Sequence, residues 1–397
     1  MKVLLIHNFY QFHGGEEESF LSEKKLLQNK NHKIITFVRD NKSIRNYMPI
    51  KKVTFVVNTI FSFDTYRKLR KIVTEEKPDI AHAHNIFPLI SPAVYYILKR
   101  YNIPIVQTVH NYRLLCLNGL FLTNNGKICE KCKKGNFFYG ILNKCYHKSY
   151  LQSFVMAITI FIHRIFLKTF SRKIDTFISP SKFLKEKLIE GKIPEEKIIV
   201  KPHFIECERI KPSYEFDNYA VYMGRLSKEK GLFTLVRAFK NIMNITLKIV
   251  GDGPIRKDLE NYIDRERIKN VQFLGYINGD DRFDVLKKAM FMLFPSECYE
   301  NMPYTILESF ACGVPVVASR IGGLKELVID GYNGLLFEPG NIEDLKQKIV
   351  NLLNSRELLL KMRYNARKTA EERFSEKKGY ENLIEVYQKA KNPRRKI

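Results

Sequence analysis

Short apolar runs, largely β-branched, alternate along the chain with longer stretches whose apolar residues recur at helical spacing. Strands that are apolar on both faces and separated by helices are typical of a parallel sheet with helices packed on both sides. The pattern therefore predicts an α/β fold. The predicted strands are Val3–His7, Ile34–Val38, Ile80–Ala83, Ile103–Thr108, Thr176–Ser179, Ile198–Lys201, Ala220–Met223, Leu247–Val250, Val271–Leu274, Met290–Phe294 and Val314–Ala318.

The strand–helix alternation restarts after residue 205, so the sequence predicts two doubly wound domains. A chain of 397 residues is also longer than one hydrophobic core usually serves. We expect an N-terminal domain over residues 1–205, a C-terminal domain over 206–376, and a final helix at 377–397 that packs back on the first domain. Residues 112–148 read as a cysteine-rich insertion in the first domain.

Charge narrows the range of partners. The chain has 67 Lys and Arg against 42 Asp and Glu, a net charge of +25, and residues 1–200 account for +18 of it. A basic first half indicates nucleic acid, an acidic membrane surface or phosphorylated ligands. The first residues lack the apolar core of a signal peptide, and no apolar run approaches the ~20 residues that span a bilayer. We therefore expect a cytoplasmic protein without a disulfide framework.

Two features lie where predicted strands of the first half end. Gly14 and Gly15 precede a helix, a place where backbone N–H groups can approach an anion, although a plain βα turn explains them equally. His110 ends the strand Ile103–Thr108, and ligands of open α/β sheets bind beyond the carboxyl ends of strands. A histidine that only caps a strand is the alternative. His82 and His84 follow Ile80 in the same way, but a histidine pair on a strand also suits structural packing.

Two features of the second half follow strands as well. Arg225 and Lys230 lie five residues apart in the turn before a helix, where a planar guanidinium and a point charge could clamp a diphosphate. Solvated surface charges are the alternative. Further on, a helix that begins near Pro303 would place Glu308 just over one turn inside it and Glu300 before it. The N–H groups of residues 302–305 would then point one way.

Together with their surroundings, these motifs resemble the retaining GT-B glycosyltransferases of family 4. The segments that carry the resemblance are GRLSKEKG (224–231), GDGP (251–254), ENMPYTILESFACGVPVVAS (300–319), GGLKELV (322–328) and GYNGLLFEPGN (331–341). The resemblance implies two facing Rossmann-like domains with a cleft between them, and transfer of a sugar from a nucleotide diphosphate. It is densest over residues 219–345, and the N-terminal glycine pair and His110 fit the same family.

The resemblance also implies a role for each motif. Arg225 and Lys230 would neutralise the donor diphosphate, Glu308 would hold the nucleotide ribose, and Glu300 would contact the donor sugar. Gly15, with Gly14 beside it, would approach the diphosphate, and His110 would hydrogen-bond the sugar near its reacting carbon. Backbone groups would bind sugar and phosphate oxygens at Asn301, Met302, Pro303, Tyr304 and Thr305. This last segment is bulkier than the family's usual small residues, which bears on the shape of the donor pocket.

The implied reaction moves a hexose or related sugar from a UDP- or GDP-linked donor to a lipid-linked or saccharide acceptor, with retention of configuration. Surface polysaccharide or glycolipid synthesis is the expected setting. No catalytic metal is required, because side-chain cations can stabilise the departing diphosphate; Asp280 and Asp281 read as surface residues. The alternatives are a nucleotide-sugar epimerase of the same architecture and a basic nucleic-acid-binding protein. The second does not account for Glu300 and Glu308 beside glycine-rich turns, so no nucleic acid is expected.

Four cysteines form a separate motif: Cys116, Cys129, Cys132 and Cys145, of which the middle two have the Cys-x2-Cys spacing of a zinc knuckle. The sequence predicts a structural zinc site or, equally, four reduced thiols in an insertion. The other three, Cys207, Cys298 and Cys312, look like ordinary small core residues.

Residues 151–173 carry apolar side chains at helical spacing, with Arg164, Lys168, Arg172 and Lys173 at the end of the stretch. Such a segment could lie on an anionic membrane or be a buried core helix. Most of the +18 of the first half would then serve an acceptor on an anionic membrane, with the protein peripheral on the inner face of the cytoplasmic membrane.

Overall fold

The computed structural model describes residues 1–11, 14–46 and 49–392. It contains two six-stranded, wholly parallel sheets, which confirms the predicted α/β class. The chain divides into two compact units, residues 1–202 with 380–397 and residues 203–379. The sequence-based boundaries lie within about three residues of these limits, a difference of the size that assignments of element ends commonly show.

The sheet of the first unit has the strand order β2-β1-β3-β4-β5-β6. The order reverses between β1 and β3, so the loops that follow these two strands meet at the carboxyl edge of the sheet, where open α/β folds bind ligands. The strands are β1 (Lys2–Phe9), β2 (Lys33–Asp40), β3 (Ile80–Ala83), β4 (Ile105–Thr108), β5 (Thr176–Ser179) and β6 (Ile198–Val200). The helices are α1 (Gly15–Asn29), α2 (Pro49–Ile60), α3 (Phe63–Glu76), α4 (Ala93–Arg100), α5 (Phe138–Leu142), α6 (Tyr150–Ile160), α7 (Thr169–Lys173) and α8 (Lys182–Glu190).

The sheet of the second unit has the order β12-β11-β10-β7-β8-β9, the arrangement of dinucleotide-binding folds, and reverses between β7 and β10. Its strands are β7 (Tyr219–Met223), β8 (Thr246–Val250), β9 (Val271–Gly275), β10 (Met292–Phe294), β11 (Val316–Ser319) and β12 (Gly334–Phe337). Its helices are α9 (Leu232–Phe239), α10 (Arg256–Arg265), α11 (Asp281–Lys288), α12 (Tyr304–Ala311), α13 (Leu324–Leu327), α14 (Ile342–Asn354) and α15 (Arg356–Phe374). The last helix, α16 (Glu376–Lys391), follows.

Helices cover both faces of the second sheet, which explains why its strands are apolar throughout. Val221 on β7 packs in a cluster with Ile306 and Phe310 of α12. The next residue, Tyr222, packs on the opposite face in a second cluster with Leu232 of α9. Neighbouring residues of one strand thus enter different cores, and each must be apolar because neither face meets water.

The final helix supplies part of the first unit's core. Leu383, Val386 and Tyr387 of α16 are buried in one cluster with Val3 and Leu5 of β1. Tyr387 also places its hydroxyl 2.9 Å from Nδ1 of His82 at the middle of the sheet. This end of the chain is therefore an integral part of the first unit.

The stretch 151–173 is not one continuous helix. After α6 the chain forms a π-helical turn, Phe161–Phe166, and Lys168 then takes a left-handed conformation with φ of +51° before α7. Arg164 does not face outward with the other cations: it is buried and donates hydrogen bonds to the carbonyl oxygens of Leu114, Lys133 and Gly191. Within the described residues, no helix has both the length and the apolar character that crossing a membrane requires.

Candidate functional site

The site of the second unit forms where its strand order reverses. The loop after β7 carries Arg225 and Lys230, and the loop after β10 carries Glu300. Because β7 and β10 are parallel neighbours, paired at Val221 and Met292, both loops leave the same edge of the sheet. The topology thus brings together residues that are about 70 positions apart in the sequence.

Lys230 and Glu300 form a half-buried ion pair at this point. The ammonium donates a hydrogen bond to Oε1 of Glu300 over 2.5 Å, and the hydroxyl of Ser296 donates to the same oxygen over 2.7 Å. Burial alone would lower the pKa of Lys230, but the negative charge of Glu300 outweighs it and holds that pKa well above its usual value. Lys230 is therefore a permanent cation with a defined position.

Glycines allow the loops around this pair to touch through their backbones. Gly231 has φ of +68°, and a Cβ there would lie 1.8 Å from the carbonyl oxygen of Pro295. A Cβ on Gly323 would lie 2.1 Å from the carbonyl oxygen of Asn301, and the N–H of Gly323 donates to the carbonyl of Glu300 over 2.7 Å. Both positions need glycine because backbone occupies the space of a side chain.

Glu308 has a cationic partner that sequence reasoning missed. Arg282, in the first turn of α11, donates from Nε and Nη2 to Oε1 of Glu308 over 3.0 and 2.8 Å. The Glu308 side chain is almost fully buried. Each of the two acids is therefore part of an ion pair: Glu300 with Lys230, and Glu308 with Arg282. Only the first pair could have been inferred from motif spacing, because Arg282 lies outside every quoted motif.

The segment between the two acids is divided between core and surface. The side chains of Met302 and Tyr304 are buried in the core, and Tyr304 stacks on His203 with ring centroids 4.9 Å apart. Their bulk, which raised a question about the pocket, is thus packed inside the unit. Asn301 and Thr305 are half-buried.

The ends of this segment define where the helix begins. Pro303 is the N-cap residue of α12, which begins at Tyr304, one residue after the predicted start.

Arg225, in the neighbouring loop after β7, is exposed.

In the first unit, the glycine pair begins α1. Gly14 is the N-cap residue and Gly15 the first residue of the helix. Glu17 closes the turn: its Oε2 accepts from the N–H of Gly14 over 2.5 Å, and its Oε1 accepts from the N–H of Tyr10 over 2.7 Å. The N–H of Gly14 is thus bonded within the turn, and the predicted approach of Gly15 to a diphosphate stays a prediction.

His110 lies just beyond β4, beside His84, which follows β3. Nε2 of His110 and Nδ1 of His84 are 3.1 Å apart, and both residues line a pocket at the carboxyl edge of the sheet. Glu16, Asn111 and Arg113 line it too, and Asn111 donates a hydrogen bond to Glu16. Sequence reasoning missed these three, although Asn111 and Arg113 lie one and three residues after His110 at a strand end.

Charge and burial act together on Glu16. Burial raises the pKa of the Glu16 carboxyl, while the guanidinium of Arg113 and the hydrogen bond from Asn111 act in the opposite direction. The pocket therefore contains one carboxyl group and one guanidinium beside two imidazoles, a set that can hydrogen-bond a polyhydroxylated ligand.

Beneath His110 lies a buried polar cluster of Glu23, His82, His84 and Lys201. Among the described residues, Glu23, His82 and His84 are the one group whose potential metal-ligating atoms all lie within 4.8 Å of one another. The ammonium of Lys201 lies 2.7 Å from Glu23, and it supplies the positive charge that a metal ion would bring. Both ring nitrogens of His82 already contact hydroxyls, those of Tyr387 and Thr108. The cluster therefore fits a hydrogen-bonded network better than a metal ion.

The cysteine-rich segment is more ordered than its composition suggests. Cys132 is buried in a small apolar cluster with Leu117, Phe137 and Met156, so residues 112–148 do have a core of their own against α6. Burial, together with the nearby thiols of Cys116, Cys145 and Cys129, raises the pKa of Cys132 to about 12. The four sulfur atoms are thus neighbours, but they do not form a group within 4.8 Å in the described structure.

Two family models match this sequence, and between them they cover most of it. Residues 13–209 match the model of glycosyltransferase family 4, and residues 205–369 match that of the glycosyl transferases group 1. The junction between the two matches coincides with the boundary between the two units of the fold.

Individual proteins agree with these matches. An uncharacterized glycosyltransferase of Methanocaldococcus jannaschii is 27% identical over 394 residues, 97% of this chain and 96% of the relative. The capsular polysaccharide biosynthesis glycosyltransferase CapM of Staphylococcus aureus is 26% identical over 43% of this chain and 46% of its own. The crystal structure of Anabaena HepE in complex with UDP has a TM-score of 0.69 at 18% identity, and the match covers 98% of this chain and 100% of HepE. At that identity the likeness is one of fold.

The buried imidazole of His7 makes stability depend on pH. His7 is fully buried, stacked on Phe20, and burial lowers its pKa to about 4. In the unfolded chain His7 has a pKa of about 6.5, so below that pH the unfolded chain binds a proton that the folded chain does not. The free energy of unfolding is therefore highest above pH 6.5, and part of it is lost as the pH falls toward 4. Between pH 7.5 and 5.0, His7→Phe should lose about 2 kcal/mol less unfolding free energy than the parent protein.

Urea unfolding at the two pH values measures this difference, and each protein is compared with itself so that packing changes cancel. His147→Gln, at an exposed position, is the matched control and should alter the pH dependence less. Equal losses in His7→Phe and the parent would show that His7 is not held neutral by burial.

Proposed function

We propose, from the premise that this chain is a glycosyltransferase of the GT-B fold, that it is a retaining family 4 enzyme. It would transfer a hexose or related sugar from a nucleotide diphosphate sugar to a lipid-linked or saccharide acceptor, in surface polysaccharide or glycolipid synthesis. The observation that carries the proposal is the Lys230–Glu300 pair at the point where the second sheet reverses its strand order. A fixed cation and a sugar-binding acid at that edge match what a nucleotide diphosphate sugar presents.

A nucleotide diphosphate sugar is the proposed donor. HepE, which shares the fold, has been crystallised with UDP and with UDP-glucose. In this chain, Lys230 and Arg225 would face the diphosphate, and Glu308 would accept hydrogen bonds from the ribose hydroxyls. Arg282 holds Glu308 by two bonds to one oxygen, which fixes the direction in which the carboxylate presents its remaining acceptor sites.

The chemistry follows from the charge that develops on the leaving group. Cleavage of the sugar–phosphate bond releases a nucleoside diphosphate whose negative charge grows in the transition state. Lys230 is already cationic and positioned by Glu300, so it stabilises that charge without reorganising. A metal ion is not needed for this step when side-chain cations supply the charge. His110 would contact the sugar, and Glu300 would accept hydrogen bonds from sugar hydroxyls at its other oxygen while Oε1 keeps its bond to Lys230.

An apolar and basic surface of the first unit supports the proposal of a lipid-linked acceptor. Residues 131–174 contain nine Lys and Arg and no Asp or Glu. Along α5, α6 and the π-turn, large apolar side chains are exposed to solvent instead of packed: Phe138, Leu142, Tyr150, Leu151, Phe154, Phe161 and Phe166. Leu151 is 68% exposed and Phe166 74%.

This surface fits an anionic membrane. Tyr150, Leu151, Phe154 and Phe161 recur at helical spacing, so they lie on one outward face. Exposed cations on the same segment, Lys148 and Lys168 among them, would contact anionic headgroups while the rings enter the interface. We therefore propose a peripheral protein on the inner face of the cytoplasmic membrane, where a lipid-linked acceptor is found. Arg164 takes no part, because it is buried.

We also propose that the four cysteines within residues 112–148 bind a structural zinc ion. Nearby thiols contribute to the raised pKa values of Cys132 and Cys145, and the thiolates of Cys116, Cys129, Cys132 and Cys145 are a ligand set that zinc prefers. Zinc would need the four sulfurs to close to tetrahedral spacing and would displace their protons.

Replacing the clamp lysine tests the donor assignment. Lys230→Ala should lower release of nucleoside diphosphate from the donor sugar by about 10²–10³-fold, because one preorganised charge contact is lost. Lys228→Ala is the matched control: Lys228 lies on the same turn but is exposed, and it should keep most of the activity. A Lys230→Ala protein that folds and keeps the parent rate would rule out the clamp.

Vesicle flotation tests the membrane surface. Leu151→Gln with Phe154→Gln should weaken binding to vesicles of phosphatidylglycerol and phosphatidylcholine at least tenfold, since about 1.5–3 kcal/mol per buried side chain is lost. Leu21→Gln, an exposed leucine on α1 outside the basic segment, should change nothing. Equal flotation of both variants would show that the surface of residues 138–166 does not bind the membrane.

Metal analysis of the purified chain tests the zinc site. The expected content is one zinc per chain, lost in Cys132→Ala and kept in Cys312→Ala, whose cysteine lies in the second unit's core. A parent protein without zinc would contradict the zinc site and leave the four cysteines as reduced thiols.

A further inference from the structure

Three side chains from three elements form a buried line that ends at His110. Glu23 comes from α1, His84 follows β3, and His110 follows β4. Nε2 of His84 lies 3.5 Å from Oε2 of Glu23, a charge contact that does not form a hydrogen bond, and Nδ1 of His82 lies at the same distance from that oxygen. Nδ1 of His84 lies 3.1 Å from Nε2 of His110, within hydrogen-bond distance. The ammonium of Lys201, directly after β6, donates to the other oxygen of Glu23 over 2.7 Å.

The charge state of the inner end is fixed by burial. Glu23 and Lys201 are both about 1% exposed, and a lone charge at that depth would be costly, so the two are an ion pair with Glu23 as a carboxylate. A carboxylate only accepts hydrogen bonds. The negative charge of Glu23, 3.5 Å from Nε2 of His84, attracts an N–H and repels a lone pair, so it favours the tautomer of His84 with its proton on Nε2.

The middle of the line is neutral. Burial, with the neighbouring rings of His82, His110 and His7 and the charge of Lys201, holds the pKa of His84 well below its usual value. A neutral imidazole with its proton on Nε2 has an acceptor at Nδ1. The bond between the two histidines must then be donated by Nε2 of His110.

We propose that Glu23 and His84 are positioning residues that hold His110 in its Nε2-protonated tautomer, so that Nδ1 of His110 is an acceptor for a hydroxyl of the donor sugar. The role of Nδ1 as an acceptor for the sugar rests on the proposed function, in which His110 contacts that sugar. The tautomer itself follows from the first unit alone. The effect resembles that of a buried acid which orients a catalytic imidazole without exchanging its own proton.

The tautomer can be observed without any substrate. In protein labelled with ¹⁵N in the imidazole rings, His110 should show a protonated Nε2 and an unprotonated Nδ1 at neutral pH, assigned by its loss in His110→Ala. A protonated Nδ1 in the parent protein would overturn the proposal. Because this readout needs no sugar, it stands even if the chain transfers no sugar at all.

Two substitutions of His84 separate positioning from packing. In His84→Asn the carboxamide oxygen can stand near the position of Nδ1 and still accept from His110, whereas His84→Leu removes the acceptor. We expect His84→Leu to give mixed His110 tautomers and to lower kcat about tenfold with little change in KM, and His84→Asn to restore both. Unchanged kcat in a folded His84→Leu protein, or no rescue by His84→Asn, would contradict the proposal.

A second variant serves if His84→Leu does not fold. Glu23→Gln with Lys201→Met removes the buried charges together and keeps similar shapes, so no lone charge is left behind. A carboxamide can turn either its oxygen or its nitrogen toward Nε2 of His84, and the His110 tautomers should then mix. A single Nε2-protonated form in this double variant would show that Glu23 does not set the tautomer.

Discussion

The parallel pairing of β7 with β10 is the constraint on which the candidate site depends. The strand order of the second sheet reverses at this pair, so the loops that follow leave the same edge side by side. Lys230 and Glu300 meet there as an ion pair, and backbone contacts at Gly231 and Gly323 hold the loops too close for any side chain. The cation of the proposed donor site is therefore positioned by topology before a ligand arrives.

The first unit repeats this logic with different chemistry. Its order reverses between β1 and β3, and His84 and His110 lie beyond β3 and β4 at the same edge. Below them, the carboxylate of Glu23 is neutralised by Lys201 inside the protein, where an unpaired charge would be strongly unfavourable. One unit therefore presents a fixed cation, and the other a histidine backed by a buried ion pair.

Much of this could be predicted from the sequence, because the signals are local. Apolar strands predicted the two parallel sheets, and the motifs that follow two of these strands predicted Lys230 and Glu300 as site residues. Arg282, Glu16 and Arg113 could not be predicted, because their partners come from other elements and nothing in the spacing links them. Composition also does not show that Arg164, among the cations at the end of the 151–173 stretch, is buried against carbonyl groups, or that residues 112–148 contain an apolar cluster.

Thermal unfolding in the presence of nucleoside diphosphates tests the central claim most directly, because a ligand that binds only the folded state raises its stability by mass action. The account predicts that UDP or GDP raises the unfolding temperature of the parent protein as its concentration increases, and raises that of Lys230→Ala far less. If neither nucleotide shifts the unfolding temperature of the parent, or if both shift parent and variant equally, the reversal point of the second sheet is not the donor site.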